Sequence, residues 1–310
     1  MAGLHAHPPV RGTQLLIEHM SDVFRRPSLI AIEVAWRWLF GIPFLLVCWK
    51  QARQILVAFP LQSSGLNSLD TQNPWVAAVQ LAGVSSYYQP HVLAVSRWLL
   101  PAAALAWIVL SALGRNLLLQ RMEGHLPFRP MAMIVLQAAW LALLALTLWG
   151  WLRSMQWAAA THIAASGEPD LVGYFVWAIF LSLGFFTAFA LVIWALSIAP
   201  LLVLLEGRST HSALSQSLRL GRHFTSKLVE INLVLGIVKL ALLVLAMVFS
   251  AAPLPFSDEL GPGAIHFAVT ASTVFYFVAN DFFQVVRIKA FVEFWRVYRG
   301  PSRALDGVAN

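Results

Sequence analysis

The sequence predicts an all-α protein, a polytopic integral membrane helical bundle with about six transmembrane helices and additional interfacial amphipathic helices. Three observations predict this class. Hydrophobic residues make up 59% of the 310-residue chain and charged residues only 11%, whereas soluble domains carry roughly 25% charged residues. The mean hydropathy is +0.72. The apolar residues are also gathered into long runs, and a run of 18 or more apolar residues predicts a membrane-spanning helix.

The charge of the chain is strongly basic, with a formal net charge of +7. Because the Lys and Arg residues are grouped at the ends of apolar runs, we expect them to contact anionic lipid headgroups at the cytoplasmic face and not nucleic acid. The single cysteine, Cys48, excludes an intrachain disulfide and a thiolate metal site. The first 28 residues lack the apolar core of a cleavable signal peptide, so the first span is expected to serve as an uncleaved signal-anchor.

Six spans are predicted, at residues 29–49, 92–113, 131–152, 172–199, 227–250 and 264–288. They divide the chain into a cytoplasmic amino-terminal segment at 1–28, a transmembrane domain at 29–292 and a cytoplasmic tail at 293–310. Residues 1–12 are expected to be disordered. Residues 13–26 are expected to form an interfacial helix whose apolar face holds Leu16, Met20, Val23 and Phe24. Residues 74–88 are expected to form a separate helix on the outer surface.

The distribution of basic residues predicts the orientation. Fifteen Lys and Arg fall in the amino-terminal segment, the second and fourth loops and the tail or at the adjoining ends of the spans, against three in the other loops. The positive-inside rule therefore places both termini in the cytoplasm, in a multi-pass protein of the cell inner (plasma) membrane. Tryptophans fall at the predicted outer ends of spans, as in an aromatic belt: Trp49, Trp98, Trp149, Trp151 and Trp177.

The longest apolar run covers residues 171–205 and leads into a basic segment at 208–227. Pro200 is expected to bend the helix, and Gly207 to permit a tight exit. The basic segment is predicted to be an amphipathic helix on the inner membrane surface, with an apolar stripe of Leu214, Leu218 and Phe224. Its candidate lipid-surface contacts are Arg208, Arg219, Arg222 and Lys227.

Two loops share a short sequence. Glu123-Gly124 follows the second predicted span, and Glu206-Gly207 follows the fourth. Each pair precedes an odd-numbered span, so two three-helix halves are a hypothesis that rests on a short match.

Charged residues inside spans are costly and are candidate functional sites. Here they form a candidate intramembrane polar cluster in the inner half of the bundle, with Lys239 closer to the middle of its span: Glu33, Arg37, Glu230, Lys239, Asn280 and Asp281. Glu33 and Arg37 are four residues apart and share a helix face. The alternative interpretation is structural, with Glu33–Arg37 a local ion pair and Asp281 satisfied by Arg287 or a loop donor.

Catalytic motifs are absent from the sequence. It contains no His-Glu-x-x-His, no Gly-x-Ser-x-Gly and no Gly-x-x-x-x-Gly-Lys-Ser/Thr, and its nine histidines show no ligand spacing. We therefore predict no catalytic residues, no cofactor and no metal.

The exit from the fourth span resembles a known bacterial pattern. A proline, an aliphatic run and Glu-Gly at 200–207 are followed by Ser212-Ala213-Leu214, Ser217-Leu218-Arg219-Leu220 and Gly221-Arg222. This is similar to the membrane domain beside glycerophosphodiester phosphodiesterases and to related six-helix proteins, although Leu218 stands where an aromatic residue is usual. The catalytic barrel of that enzyme has no counterpart here. The resemblance thus implies a six-helix architecture and not hydrolysis.

Together these features predict a non-enzymatic integral membrane protein, a scaffold, assembly or membrane-homeostasis factor that contacts lipids and a membrane-protein partner. The alternative is a transporter or channel that uses the inner polar patch. A membrane-embedded enzyme acting on a lipid is a third hypothesis. A polar stripe continuous across the membrane would favour transport, whereas polar residues confined to the inner end of an apolar bundle would favour the scaffold.

Overall fold

The computed structural model describes residues 12–60, 74–124, 126–163, 170–218, 222–251 and 262–306. Every regular element within these ranges is an α-helix, which confirms the predicted class. The helices are α1 Gly12–Phe24, α2 Pro27–Ala58, α3 Pro74–Met122, α4 Pro130–His162, α5 Leu171–Leu196, α6 Ala199–Leu205, α7 Thr210–Leu218, α8 Arg222–Ala251 and α9 Pro262–Asp306.

Six helical segments are long and apolar enough to cross a membrane: Pro27–Ala58, Gly83–Met122, Pro130–His162, Leu171–Ile193, Val229–Val248 and Ile265–Arg296. This number agrees with the six spans expected from the sequence. The chain is therefore a multi-pass membrane protein. The helices form two compact units, a smaller unit at 35–112 and a larger unit at 1–34 and 113–310.

The smaller unit is a helical hairpin joined by aromatic side chains. The ring of Trp107 lies 5.4 Å from that of Trp36 and 5.1 Å from that of Phe40. Towards the other end of the hairpin, the ring of Phe59 stacks on His91 at 3.7 Å. The hydroxyl of Tyr88 donates a 2.9 Å hydrogen bond to the carbonyl oxygen of Phe59. Because the last carbonyls of a helix lack partners within it, this bond stabilises the end of α2.

The larger unit is packed most closely at one end, which we call the packed end. Here α1 packs against α8 and α9, and α4 packs against α6 and α7. The apolar core is correspondingly concentrated there. Its fully buried side chains include Val23, Leu29, Leu118, Met133, Ile198, Leu202, Val203, Leu235, Val285 and Val286.

Towards the opposite end, which we call the far end, the helices of the larger unit are paired. Trp151 donates a 2.9 Å hydrogen bond from Nε1 to Oγ of Ser182, which links α4 to α5. The rings of Trp157 and Trp177 meet edge to face at 5.6 Å. None of the described side chains of α5 is buried, so most of this helix presents an apolar surface outside the core.

The sequence predicted a separate surface helix at residues 74–88, and this prediction is wrong. These residues are the first part of α3, which continues without interruption for 49 residues, about 74 Å at 1.5 Å per residue. The helix also continues through Pro90 and Pro101. One glycine in a helix costs only about 1 kcal/mol, which is too little to end it.

The long apolar run is divided into two helices just before its proline, Pro200. Helix α5 ends at Leu196, and α6 begins at Ala199 with Pro200 in its first turn. In a continuous helix the ring of Pro200 would clash with the carbonyl of Leu196, four residues earlier. The expected bend is therefore a complete break between two helices.

The basic segment at 208–227 is not one helix, which corrects the prediction. Helix α7 ends at Leu218, and Arg222 already belongs to α8, which continues into the fifth span. The predicted apolar stripe is divided too, because Leu214 and Leu218 belong to α7 whereas Phe224 belongs to α8. Helix α7 buries Ala213 and Ser217 and leaves Leu218 58% exposed. Contact with neighbouring helices, and not the apolar pattern alone, decides which face of α7 is covered.

The first helix forms over most of the residues predicted for the interfacial helix, and the last helix is longer than its predicted span. Helix α1 buries His19 and Val23, whereas Phe24 is 77% exposed and the side chain of Leu16 lies outside the described residues. Helix α9 continues past the end of the sixth predicted span to Asp306. Residues 1–11, which include most of the expected disordered segment, are outside the described ranges.

Candidate functional site

The candidate site is the polar interior of the packed end. Glu33 on α2 has none of its surface exposed, and Asp281 on α9 is 3% exposed. Both side chains have interaction partners, as buried charges require. Glu230, Asn280 and Lys239 are half-buried.

The remaining member of the predicted cluster, Arg37, belongs to the smaller unit. Its guanidinium carbon lies 5.2 Å from the centre of the Trp36 ring, a cation–π distance. A cluster of all six predicted residues therefore stays a prediction. The burial of Glu33 and Asp281 shows that two of its carboxyl groups lie in the interior.

Sequence reasoning missed a set of neutral polar residues in the same interior. Gln137, Asn232 and Gln284 are each less than 9% exposed, and Asn116 is fully buried. No hydrogen-bond partner is found for either amide atom of Asn116 within the described part of the chain. A Gln or Asn within an otherwise apolar span was the available signal, because an amide is also costly to bury without hydrogen bonds.

These residues follow the helical period. On α9, Asp281, Gln284 and Ile288 are spaced three and four residues apart and are all buried, which places them on one face. On α8 the buried residues Ile231 and Asn232 lie four and three residues before buried Leu235. The interior therefore combines acidic and amide side chains with an aliphatic core, an arrangement that can hold a proton or a hydrogen-bonded network.

Two connections border this interior. Arg129, immediately before α4, donates a 3.0 Å hydrogen bond to the carbonyl oxygen of Gly207. Glu206 has only 3% of its side chain exposed and accepts a 2.6 Å hydrogen bond from Nε of Arg208. In the other loop that carries the Glu-Gly sequence, Glu123 forms an ion pair with Arg296 of α9.

The four candidate lipid contacts differ in what the structure shows. Arg208 is half-buried and paired with Glu206. Arg222 and Lys227 lie within α8, although their side chains are outside the described set, and Arg219 is outside the described residues altogether. Lipid binding by these four residues remains a prediction.

Within the described ranges, no group of three or more His, Cys, Asp or Glu side chains is placed to hold a metal ion.

Comparison of the chain with protein-family models, curated proteins and solved structures found no match. The resemblance to the membrane domain of glycerophosphodiester phosphodiesterases therefore stays a prediction from the sequence.

Proposed function

We propose that this protein is a non-enzymatic scaffold or assembly factor of a bacterial inner membrane, with both termini in the cytoplasm. The observation that supports it is the separation, along the larger unit, of buried polar side chains from exposed apolar ones. The described buried polar and charged residues of this unit all lie towards the packed end: His19, Glu33, Asn116, Gln137, Ser217, Asn232, Asp281 and Gln284. Beyond that end, the spans present apolar side chains that can contact lipid or another membrane protein.

Helix α5 is the strongest candidate for such a contact. Its most apolar 18-residue window has a mean hydropathy of 2.4 and contains no buried residue. Phe175, Phe180 and Phe186 are each at least 60% exposed. Large aromatic side chains dominate the energetics of many interfaces, so this helix is suited to bind a partner helix.

Transport is the second candidate function, because Lys239 is half-buried in the middle of α8. It lies about 14 Å along the helix from Glu230. The residues that follow, 240–249, carry no polar side chain. On α9 the hydroxyls of Thr270 and Thr273 donate hydrogen bonds to carbonyls of their own helix, at 2.7 and 2.8 Å. These features favour the scaffold over a polar pathway that crosses the membrane.

Cysteine accessibility separates the two functions. In a Cys48→Ala background, Lys239→Cys is treated in intact membrane vesicles with a membrane-impermeant thiol reagent. The scaffold predicts no labelling at this position, whereas an aqueous pathway predicts labelling. Arg153→Cys and Arg208→Cys, near opposite ends of the larger unit, are the controls that report reagent access from each side.

Site-specific photocross-linking tests the partner. A photoreactive residue at Phe180 or Phe186 should give a discrete, saturable adduct with another membrane protein, while the same residue at buried Leu202 should react only within the chain. Adducts with lipid alone at both α5 positions would contradict the scaffold function.

A further inference from the structure

A charged cavity of about 400 Å³ opens at the packed end of the larger unit. It lies where the end of α1 and the start of α2 meet the end of α3 and the carboxy-terminal part of α9. Three apolar residues, Leu29, Met122 and Val292, line it together with Gly124. The other six lining residues are charged: Asp22, Arg26, Glu123, Lys289, Glu293 and Arg296.

Three of these residues form a basic triad. The carboxylate of Asp22 forms one ion pair with Arg26, at 3.6 Å, and a second with Lys289. One carboxylate is thus shared by two cations, so the triad carries one excess positive charge. The side chain of Arg26 is 57% exposed, which leaves much of its guanidinium accessible to a ligand.

The other three residues form an acidic triad. Arg296 pairs with Glu123 and, at 3.4 Å, with Glu293. Here one guanidinium is shared by two carboxylates, so the triad carries one excess negative charge. The side chain of Glu293 is 41% exposed and retains acceptor capacity, because each carboxylate offers about four lone-pair sites.

We propose that this cavity binds a phosphoethanolamine group, supplied by the headgroup of phosphatidylethanolamine. Such a group carries one negative and one positive charge a short distance apart, which complements the two triads. Its phosphate faces Arg26 and Lys289, since guanidinium and ammonium groups donate charge-assisted hydrogen bonds to phosphate. Its ammonium faces Glu123 and Glu293. The proposal goes beyond the scaffold function and does not rest on it.

The composition of the cavity favours a primary ammonium over a choline group. Quaternary ammonium ligands are held by aromatic cages through cation–π attraction, and none of the described lining residues is aromatic. A primary ammonium instead donates three hydrogen bonds, and the acidic triad supplies carboxylate acceptors. The ligand is therefore expected to be distinguished from phosphatidylcholine by its three N–H donors.

The position of the cavity favours a lipid over a soluble ligand. Its apolar lining residues, Leu29, Met122 and Val292, lie near the ends of three helical segments that are long and apolar enough to span a membrane, in α2, α3 and α9. A lipid at the ends of these spans can place its headgroup in the charged cavity while its acyl chains lie against the exposed apolar faces of the spans.

Native mass spectrometry of the full-length protein in mild detergent tests the proposal. Short-chain phosphatidylethanolamine, phosphatidylcholine and phosphatidylglycerol are titrated separately, and free O-phosphoethanolamine is added as a competitor. We expect phosphatidylethanolamine to bind at least about tenfold more tightly than the other two lipids, a difference of one order of magnitude in Kd. Displacement of the lipid by millimolar O-phosphoethanolamine would support recognition of the headgroup at this site. Tighter binding of O-phosphoethanolamine than of the lipid would support the same group and assign it to a soluble source.

Matched variants locate the site. Glu293→Gln should reduce the preference for phosphatidylethanolamine over phosphatidylglycerol severalfold, because it removes the excess negative charge. Arg26→Gln should weaken binding of both lipids, because it removes a phosphate ligand. Glu18→Gln and Arg25→Gln change exposed residues of the same region that do not line the cavity, and both should bind like the unchanged protein.

Folding of each variant is checked by thermal unfolding without lipid, and Glu293→Asp should restore the preference that Glu293→Gln loses. Equal affinity for the three lipids would overturn the proposal, as would tightest binding to phosphatidylglycerol. A preference for phosphatidylethanolamine that survives in both Glu293→Gln and Arg26→Gln would place the lipid elsewhere and overturn it too.

Discussion

The guanidinium of Arg129 donates a 3.0 Å hydrogen bond to the carbonyl oxygen of Gly207, 78 residues later in the chain. The bond joins the connection before α4 to the connection before α7. Gly207 has a φ of +68°, the left-handed conformation that residues with a Cβ seldom adopt. The exit from α6 therefore depends on a glycine for its backbone and on a distant arginine for its position.

Replacing Gly207 separates backbone strain from side-chain contact. A Cβ at this position would lie 3.5 Å from Arg129, an ordinary contact, so strain in the left-handed region decides the effect. We expect Gly207→Ala to destabilise the protein by about 1–2 kcal/mol. Arg129→Gln should cost about 0.5–1.5 kcal/mol through the lost hydrogen bond. Thermal unfolding in detergent measures both changes. Gly41→Ala, inside α2 and with no neighbour within 4 Å, is the comparison in which the added methyl group should stabilise the helix by up to about 1 kcal/mol.

The docking of α1 is expected to depend on pH through His19. Burial of the imidazole lowers the pKa of His19, and the nearby positive charge of Lys289 lowers it further, although Glu293 and Glu18 act in the opposite direction. Because the folded-state pKa is lowered, the folded protein prefers the neutral imidazole, and its contribution to stability is complete above the unfolded pKa of about 6.5. That stability is lost as the pH falls, because the unfolded chain binds the proton first.

We therefore expect the melting temperature to fall between pH 7.5 and pH 5.5, and protease cleavage within α1 to increase. His19→Gln should remove most of this dependence, whereas His211→Gln, at an exposed position on α7, should leave it intact. An identical pH profile for the unchanged protein and His19→Gln would show that other groups control it.

The number of spans could be predicted from the sequence because the bilayer requires long apolar runs whatever the packing between them. The continuity of α3 and the inward face of α7 could not be predicted, because both depend on details beyond the apolar pattern. Residues 74–88 contain a glycine and two serines, which suggest a break but cost a continuous helix little. The inward face of α7 holds Ala213 and Ser217, small residues with no strong apolar signal. The neutral amide of Asn116 was not predicted as a site residue because it lies beyond the expected end of the second span, at residue 113.

The start of α5 is stabilised by a cap at Asp170. Oδ1 of Asp170 accepts a 2.9 Å hydrogen bond from the backbone N–H of Gly173, and Oδ2 lies 3.2 Å from Nδ1 of His162. The bond from Gly173 lowers the pKa of the Asp170 carboxyl, and the bond from His162 adds to this effect. Since a lowered carboxyl pKa means that the ionised form is preferred in the folded state, the stabilisation is present above about pH 4 and is lost on further acidification.

Asp170→Ala should therefore increase amide hydrogen exchange in the first turn of α5, whereas Asp170→Asn, which retains an acceptor for the Gly173 N–H, should have a smaller effect. Gly173→Ala should also disrupt the cap, because its Cβ would collide with the carboxylate of Asp170 and lie 2.7 Å from His162. Unchanged exchange in Asp170→Ala at neutral pH would contradict the capping role.

The predicted orientation is tested by reporters fused at the carboxyl terminus. The excess of Lys and Arg in four segments of the chain, fifteen against three, predicts that Asn310 lies in the cytoplasm. A reporter active only in the cytoplasm should work when fused there, and one active only in the periplasm should not. Fusion after His162 should give the opposite pair of results, which provides an internal control. Periplasmic activity at Asn310 would exclude the predicted orientation.

The buried carboxyl groups Glu33 and Asp281 provide the direct test of the polar cluster. Glu33 is fully buried, Asp281 is 3% exposed, and both side chains have interaction partners, so removing either one leaves those partners without a counterpart. Breaking a buried charged pair in this way costs about 3–5 kcal/mol. We expect Glu33→Ala and Asp281→Ala each to destabilise the protein by this amount, while Glu18→Ala, on the exposed face of α1, should change stability by less than about 0.5 kcal/mol.

The double variant decides whether the two residues belong to one network. If they share partners, the second substitution removes interactions that the first has already weakened, and the combined loss should fall short of the sum by about 0.5–3 kcal/mol. Thermal unfolding of the two single variants and the double variant in the same detergent supplies the comparison. Strictly additive losses would show that Glu33 and Asp281 are satisfied separately. The single cluster would then be excluded, and the transport hypothesis would lose its candidate site.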